Sequence, residues 1–238
     1  MIDLYYWTTP NGLKMTIFME ESGVPHRIKT VNTRIGEQFH EDFLAISPNN
    51  RIPALVDDAP DGGGPPLAMF ESGAMLLYLA EKSGQFIPRD IHGRAEVLTW
   101  LFWQMAGLGP TAGQTTHFRV YAPEKLPYAI DRFVNEVNRL YGVLDRRLKN
   151  REFVAGDYSI ADMAIYPWIV QYDRHGQNLS DFPQLKRWFE AVGQRPAVVR
   201  AYEMAKEINP DFGKLPTDAE KKVMFGQTAE TIAQRAYR

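Results

Sequence analysis

Two neighbouring stretches decide the fold of this chain: Ser-Pro-Asn-Asn-Arg-Ile-Pro-Ala-Leu-Val (residues 47–56) and Phe-Glu-Ser-Gly-Ala (residues 70–74). The first stretch ends in a short apolar run, 54–56, that predicts a strand. The following segment, 57–66, contains prolines and three consecutive glycines and predicts a turn. A second short run, 67–69, predicts the returning strand. The pattern therefore indicates two strands that lead directly into the second stretch.

The residues that flank these strands suggest a ligand site. Pro53 stands immediately before a strand, where a cis bond to Ile52 would turn the chain sharply. Ser72 is placed to cap a helix whose apolar positions follow helical spacing. Free backbone N–H groups and the helix dipole favour a bound carboxylate at such a helix start. We therefore expect Glu71 and Ser72 to lie where a carboxylate ligand can bind.

The composition is that of a globular protein with one large domain or two small ones. The chain has 238 residues, of which 45% are hydrophobic and 24% charged, and a formal net charge of −2. Without a basic excess, nucleic acid is not expected as a partner. No apolar run approaches the roughly 20 residues of a membrane span, so we expect no membrane partner. The N-terminus begins as a strand without a basic leader region, which favours a cytoplasmic location.

The sequence contains no cysteine. This absence excludes disulfides, thiolate metal sites, a cysteine nucleophile and a Cys-x-x-Cys redox pair. Any thiol chemistry must therefore use a thiol that a ligand brings. We also expect no metal.

The two halves of the chain differ in their periodicity. Strands alternate with helices in the first half, whereas long amphipathic segments dominate after a linker at 85–90. We expect an α/β domain over residues 1–84, an all-helical domain over 91–208 and a partly helical tail over 209–238.

The motifs, in their order along the chain, resemble those of the glutathione S-transferases. Pro53 matches the family's cis-proline, and Glu71-Ser72 matches the pair that holds the γ-glutamyl end of glutathione. The loop Thr-Pro-Asn-Gly-x-Lys (9–14) is similar to that of the nu class, a group of bacterial disulfide-bond reductases. The resemblance extends to about Asn209. It implies the glutathione transferase fold: a thioredoxin-like α/β domain, a C-terminal all-helical bundle and a homodimer.

The resemblance also implies roles for single residues. Thr9 and Asn11 would lie beside the thiol of glutathione, where a hydroxyl or amide donor stabilises the thiolate. Gln38 would contact glutathione, and the backbone of Ile52 would pair with its cysteinyl part in the manner of an added strand. Arg132, in Pro-Tyr-Ala-Ile-x-Arg, would reach across the dimer to glutathione on the other subunit.

Simpler alternatives remain open for these positions. Residues 9–12 are also typical of a strand-to-helix turn, and Gln38 of an exposed helix start. Arg132 can instead face solvent and pair with Asp131 or Glu136. We assign no catalytic role to His117, a lone histidine without a neighbouring carboxylate in the sequence.

Ser159 and Asp162 have the spacing of a capping box. In this motif the serine side chain accepts a backbone hydrogen bond, and the residue at the third helical position reaches back to the cap amide. The segment resembles the N-capping box of the helical domain in glutathione transferases and is expected to stabilise the fold. Replacing Asp162 by alanine is expected to cost on the order of 1 kcal/mol or more.

The helical half suggests further boundaries. We expect the first long helix to bend or break at 107–110, an irregular segment over 111–123, and a second long helix over 127–150. The tail could form one more helix over 218–237.

Three functions remain to be distinguished. The resemblance implies a glutathione-dependent disulfide-bond reductase that uses two glutathione molecules, or one glutathione disulfide, against a small or protein disulfide. The first alternative is a glutathione transferase or peroxidase that acts on electrophiles or hydroperoxides. The second is a non-catalytic, glutathione-binding regulatory module.

Overall fold

The computed structural model describes residues 1–236. The chain divides into two compact units, one of residues 1–83 and 200–238 and the other of residues 84–199. Residues 200–208 thus belong to the first unit, whereas the sequence pattern predicts them to be part of the helical domain.

The first unit contains a four-stranded sheet. Its strands are β1 (Ile2–Tyr6), β2 (His26–Thr30), β3 (Ala54–Asp57) and β4 (Leu67–Phe70). Their order in the sheet is β2-β1-β3-β4, with β1 parallel to β2 and β3 antiparallel to both of its neighbours. Both strands predicted around the glycine-rich turn are therefore present as an antiparallel pair.

Two helices of this unit contact each other: α1 (Pro10–Ser22) and α3 (Ser72–Ser83). A 3-10 turn at Glu37–Phe39 and the short helix α2 (Glu41–Leu44) lie between β2 and β3. Helix α3 begins at Ser72 itself, because the carbonyl of Glu71 accepts the first helical hydrogen bond from Met75. Ser72 therefore occupies the first helical position and does not act as the cap.

The second unit is all-helical. Its helices are α4 (Ile91–Trp103), α5 (Gly109–Thr116), α6 (Pro127–Leu148), α7 (Ile160–Ile169) and α8 (Pro183–Gly193). A 3-10 turn at Leu179–Asp181 precedes α8. The long helix α9 (Pro196–Ile208) begins in this unit and passes into the first.

The prediction of an irregular segment over 111–123 is wrong. A π-helical turn, Gln104–Leu108, joins α4 to α5, and a second one, His117–Tyr121, follows α5. Pro110 falls at the start of α5, directly after this π-helical turn. The wide turn accommodates the proline, so the helical structure is not broken at 107–110, where the glycines and the proline predicted a bend or a break.

The tail forms two helices, α10 (Asp218–Phe225) and α11 (Ala229–Ala236), where one was expected. Thr217 and Glu220 form a capping box at the start of α10, and the chain leaves that helix at Gly226. The predicted end of the tail helix at Tyr237 lies outside the described residues.

No helix among residues 1–236 is long and apolar enough to cross a membrane.

Candidate glutathione site

Three of the loops that the sequence analysis singled out leave the sheet at the same edge. In the strand register, Tyr5 of β1 and Phe70 of β4 both pair with Ala54, the first residue of β3. Because β3 is antiparallel to both neighbours, the chain after β1, before β3 and after β4 continues past this one edge. The structure thereby brings together the loops at Thr9–Asn11, Ile52–Pro53 and Glu71–Ser72.

The first of these loops is organised by a helix cap. The Thr9 hydroxyl oxygen accepts a hydrogen bond from the backbone N–H of Gly12 at 3.2 Å, and Pro10 occupies the first turn of α1. Thr9 and Asn11 are both half-buried, so each keeps an exposed part. The first turn of α1 contains no acidic residue, so the positive end of its dipole is uncompensated by a local carboxylate. The loop can therefore favour a negatively charged sulfur.

The second loop contains a cis peptide bond between Ile52 and Pro53, as the sequence predicts. The Ile52 side chain is buried in a small apolar cluster with Trp7, Val31 and Phe43. Ladder pairing of β3 begins only at Ala54, so the Ile52 backbone takes part in no strand ladder of the described residues. The side chain thus has a packing role that the sequence analysis did not assign, and the backbone of Ile52 lies outside the strand ladders.

The third loop has the left-handed backbone conformation at Glu71, with φ of 75°. Only glycine and a few polar residues adopt this region readily, so Glu71 is held there at a cost of about 1 kcal/mol or more. The conformation exposes Glu71, while Ser72 behind it is only 2% exposed. An exposed carboxylate and the N-terminus of α3 therefore lie side by side.

A charged residue that the sequence analysis assigned no role lies behind this third loop. Lys14 of α1 is completely buried, and its Nζ lies 3.3 Å from Oγ of Ser72. Burial lowers the pKa of Lys14 to about 7, against the raising effect of the Glu71 carboxylate. The signal in the sequence was a lysine within the apolar run Leu-Lys-Met-Thr-Ile-Phe-Met (13–19).

Gln38, which the resemblance places in contact with glutathione, is buried. Its side chain is 1% exposed, and its amide nitrogen donates to the carbonyl of Thr33 at 3.3 Å. The amide oxygen has no hydrogen-bond partner within residues 1–236. In this conformation the glutamine braces the loop before it, and the alternative of an exposed helix-start glutamine is wrong.

The tail contacts two loops, one that precedes Gln38 and one that precedes Ile52. Oε1 of Gln227 accepts hydrogen bonds from Asn50 Nδ2 at 2.9 Å and from Arg51 Nη1 at 2.8 Å. Arg34 donates to the carbonyl of Lys214 at 2.8 Å. The tail therefore fastens the two loops that bound this part of the candidate site.

Arg132 belongs to the helical unit. Its side chain is 59% exposed, and its guanidinium lies 3.8 Å from the carboxylate of Glu136, one helical turn later on α6. This pairing is one of the alternatives that the sequence analysis named. An exposed ion pair of this kind is weak and holds the guanidinium loosely.

The capping box of the helical unit is confirmed. The Ser159 side chain and the Asp162 carboxylate satisfy each other's backbone N–H groups at the start of α7. No group of three or more His, Cys, Asp or Glu side chains that could hold a metal occurs among the described residues.

Family models agree with the geometry over most of the chain. The model for the N-terminal domain of glutathione S-transferases matches residues 8–82, and the model for the C-terminal domain matches residues 110–196. The disulfide-bond oxidoreductase YfcG of Escherichia coli is 50% identical over 202 residues, which cover 84% of this chain and 94% of that protein. The chain belongs to the glutathione S-transferase family.

Solved structures of relatives show the same fold. A family member from Pseudomonas fluorescens, with two glutathione molecules bound, is 42% identical with a TM-score of 0.81, over 85% of this chain and 92% of that chain. A glutathione transferase from Pseudomonas putida, with one glutathione disulfide bound per subunit, is 40% identical with a TM-score of 0.80, over 85% and 91% of the two chains. The predicted fold, a thioredoxin-like domain followed by a helical domain, is confirmed by these matches.

Proposed function

We propose that this glutathione S-transferase is a glutathione-dependent disulfide-bond reductase. The observation that carries the proposal is the Thr9 hydroxyl at the N-terminus of α1. It accepts a hydrogen bond from Gly12, and its own proton donates to no group within residues 1–236. A hydroxyl can accept and donate at once, so Thr9 can cap the helix and still donate to a thiolate. The Asn11 amide, in the same helical turn, is the second donor.

The reaction needs no cysteine from the protein. The thiolate of one bound glutathione attacks a sulfur of the substrate disulfide, which forms a mixed disulfide and releases one substrate thiolate. The thiolate of a second glutathione then attacks the glutathione sulfur, which forms glutathione disulfide and releases the second substrate thiolate. The two leaving thiolates take up the protons that the two glutathione thiols lost. Two glutathione molecules are oxidised and one disulfide is reduced, in agreement with the absence of cysteine in the chain.

Binding of the γ-glutamyl end uses the third loop. The exposed Glu71 carboxylate accepts from the ligand's amino group, and the N-terminus of α3 at Ser72 receives the ligand's α-carboxylate. Ile52 pairs through its backbone with the cysteinyl part. Gln38 supports this part of the site from its braced loop.

The dimer completes the site in this proposal. Arg132 of the partner subunit leaves its weak pair with Glu136 and binds a glutathione carboxylate with its two-pronged guanidinium. The names of the relatives support the reductase: YfcG and YghU of Escherichia coli are both disulfide-bond oxidoreductases. The homodimer, the disulfide substrate and the cytoplasmic location stay predictions.

Reduction of 2-hydroxyethyl disulfide by glutathione tests the proposal. We compare wild type with Thr9→Val, which keeps the shape and removes the hydroxyl, and with Thr9→Ser, which keeps the hydroxyl. A hydrogen bond to a charged sulfur is worth about 1.5–3 kcal/mol, so Thr9→Val is expected to lower kcat/KM by roughly 10- to 150-fold. Thr9→Ser is expected to stay within a few-fold of wild type.

Asn11→Ala and a second substrate separate the alternatives. Asn11→Ala is expected to lower disulfide reduction as well, because it removes the other donor. A wild type that is inactive on the disulfide but conjugates glutathione to an electrophile would be a transferase. A wild type that binds glutathione and does neither would be a binding module.

A further inference from the structure

Lys14 is unusual among the residues of the candidate site because it is charged and wholly inside the protein. It lies in the stretch of α1 from Gly12 to Met19, every residue of which is buried. A buried ammonium loses its hydration, and a well-packed apolar residue fills such a space at lower cost. Packing of α1 against α3 therefore does not account for a lysine at this position.

The contact with Ser72 has a defined direction. In its protonated form the Lys14 side chain is a donor only, so Nζ of Lys14 then donates and Oγ of Ser72 accepts across the 3.3 Å between them. The Ser72 hydroxyl proton is therefore not directed at Lys14. Ser72 is also the first residue of α3, so the buried ammonium stands directly behind the positive end of that helix.

We propose that Lys14 is a positioning residue for the carboxylate of glutathione: it orients the Ser72 hydroxyl, adds a positive charge behind the N-terminus of α3, and takes up a proton as the carboxylate binds. This inference rests on the proposed glutathione site and assigns one of its charges to a residue that does not touch the ligand.

The proton uptake follows from the charges around Lys14. Burial lowers the pKa of Lys14 to about 7, so near this pH the free protein holds it partly neutral. From the turn before α3, Glu71 acts in the opposite direction. Tyr6, on the strand that approaches α1 at Gly12, stays neutral because burial raises its pKa well above the usual value. An arriving carboxylate favours the ammonium, so binding draws a proton from solvent and weakens as the pH rises.

Calorimetry with S-methylglutathione tests this inference. The thioether carries no ionisable thiol, so a proton exchanged on binding does not come from the ligand sulfur. The enthalpy of binding is measured at pH 7.0 and 7.5 in two buffers of different ionisation enthalpy, and the difference gives the number of protons taken up. We expect an uptake of roughly half a proton by wild type, from a group whose pKa lies near the working pH.

The matched variants are Lys14→Met and Lys29→Met. Lys14→Met fills the same space without charge, whereas Lys29 is an exposed lysine on β2. Lys14→Met is expected to remove the proton uptake and to weaken binding at least 10-fold at pH 6.5, while Lys29→Met behaves as wild type. If Lys14→Met does not fold, Lys14→Gln takes its place. The proton uptake of wild type is measured in either case, because it requires no variant.

The outcomes separate this inference from the proposed function. Wild type that does not bind S-methylglutathione would overturn the glutathione site and the inference together. Binding by wild type without proton uptake would overturn the inference alone. So would a Lys14→Met variant with unchanged affinity and uptake, which would leave Lys14 a structural tie between α1 and α3.

Discussion

The indole Nε1–H of Trp188 donates a hydrogen bond to Oδ1 of Asp162 at 2.8 Å, inside the helical unit. The same carboxylate accepts from the backbone N–H groups of Val154 at 3.0 Å and Ser159 at 3.1 Å. Trp188 and Asp162 are both completely buried. The capping box of α7 is thus also the point at which α8 and the loop before α7 are fastened to the start of that helix.

Replacing Asp162 is therefore expected to cost more than a lost cap. Asp162→Ala leaves the buried donors of Val154, Ser159 and Trp188 without an acceptor, so we expect a loss of about 3–5 kcal/mol in the free energy of unfolding. Trp188→Phe removes one donor and replaces the indole by a smaller phenyl ring, so it is expected to cost about 2–3 kcal/mol from the lost hydrogen bond and the cavity together. Urea denaturation measures both. A loss of only about 1 kcal/mol for Asp162→Ala would reduce the residue to an ordinary cap.

Because His175 is buried, we expect the protein to lose stability in acid. It is completely buried, its Nδ1 lies 3.1 Å from the Tyr141 hydroxyl, and burial lowers its pKa to about 4. Between that pKa and the unfolded value near 6.5, the unfolded state binds more protons, so stability falls as the pH falls.

The histidine contribution is isolated by comparison with His175→Asn. The difference in free energy of unfolding between wild type and this variant is expected to shrink by about 3 kcal/mol from pH 7 to pH 4. His92→Asn, at an exposed histidine, serves as the control. A difference that does not change with pH would mean that His175 titrates normally.

The loop that carries Thr9 and Asn11 requires a residue without a side chain at position 12. A Cβ at this position would lie 2.1 Å from the carbonyl oxygen of Trp7, which belongs to the backbone and cannot rotate away. Gly12→Ala is expected to destabilise the protein by about 2–4 kcal/mol. Gly107→Ala, where the added Cβ would meet no atom within 4 Å outside its own stretch of helix, is expected not to destabilise the protein. Equal midpoints of thermal unfolding for the two variants would contradict this.

We expect the contacts of the tail with residues 50 and 51 to affect the affinity for glutathione. Gln227 holds Asn50 and Arg51, which directly precede Ile52. Gln227→Ala is expected to raise the KM for glutathione roughly 3- to 10-fold with little change in kcat, because it loosens binding and leaves the sulfur site intact. Lys222→Ala, at an exposed position of α10, is the control. An unchanged KM for Gln227→Ala would restrict the tail to a role in stability.

The sulfur site also predicts a substrate preference. A threonine and an asparagine are expected to ionise a single thiol less strongly than a tyrosine or serine site, so conjugation of glutathione to chlorodinitrobenzene is expected to be weak. The rate is compared with that for 2-hydroxyethyl disulfide under the same conditions. A conjugation rate equal to that of an efficient detoxifying transferase would reverse the order of the two functions.

Local signals were enough for much of the fold. The turn between β3 and β4, the cis bond before Pro53 and the capping box at Ser159 each depend on a few consecutive residues, so their patterns predict them. The irregular segment expected over 111–123 is wrong for the converse reason: a π-helical turn accommodates Pro110, and its formation depends on how the surrounding helix packs. The single tail helix failed because the capping box at Thr217 and the exit at Gly226 limit it to eight residues.

The sequence by itself determined the family, the order of the domains and the absence of a protein thiol, because these follow from motifs and counts along the chain. Only the tertiary structure decided which side chains lie behind the motifs. Lys14 is 58 positions from Ser72, and Asn50 is 177 positions from Gln227. No periodicity encodes such pairs, because they form only when the strand register and helix packing bring distant segments together. The burial that shifts the pKa of Lys14 and of His175 arises in the same way, from the whole fold around each side chain.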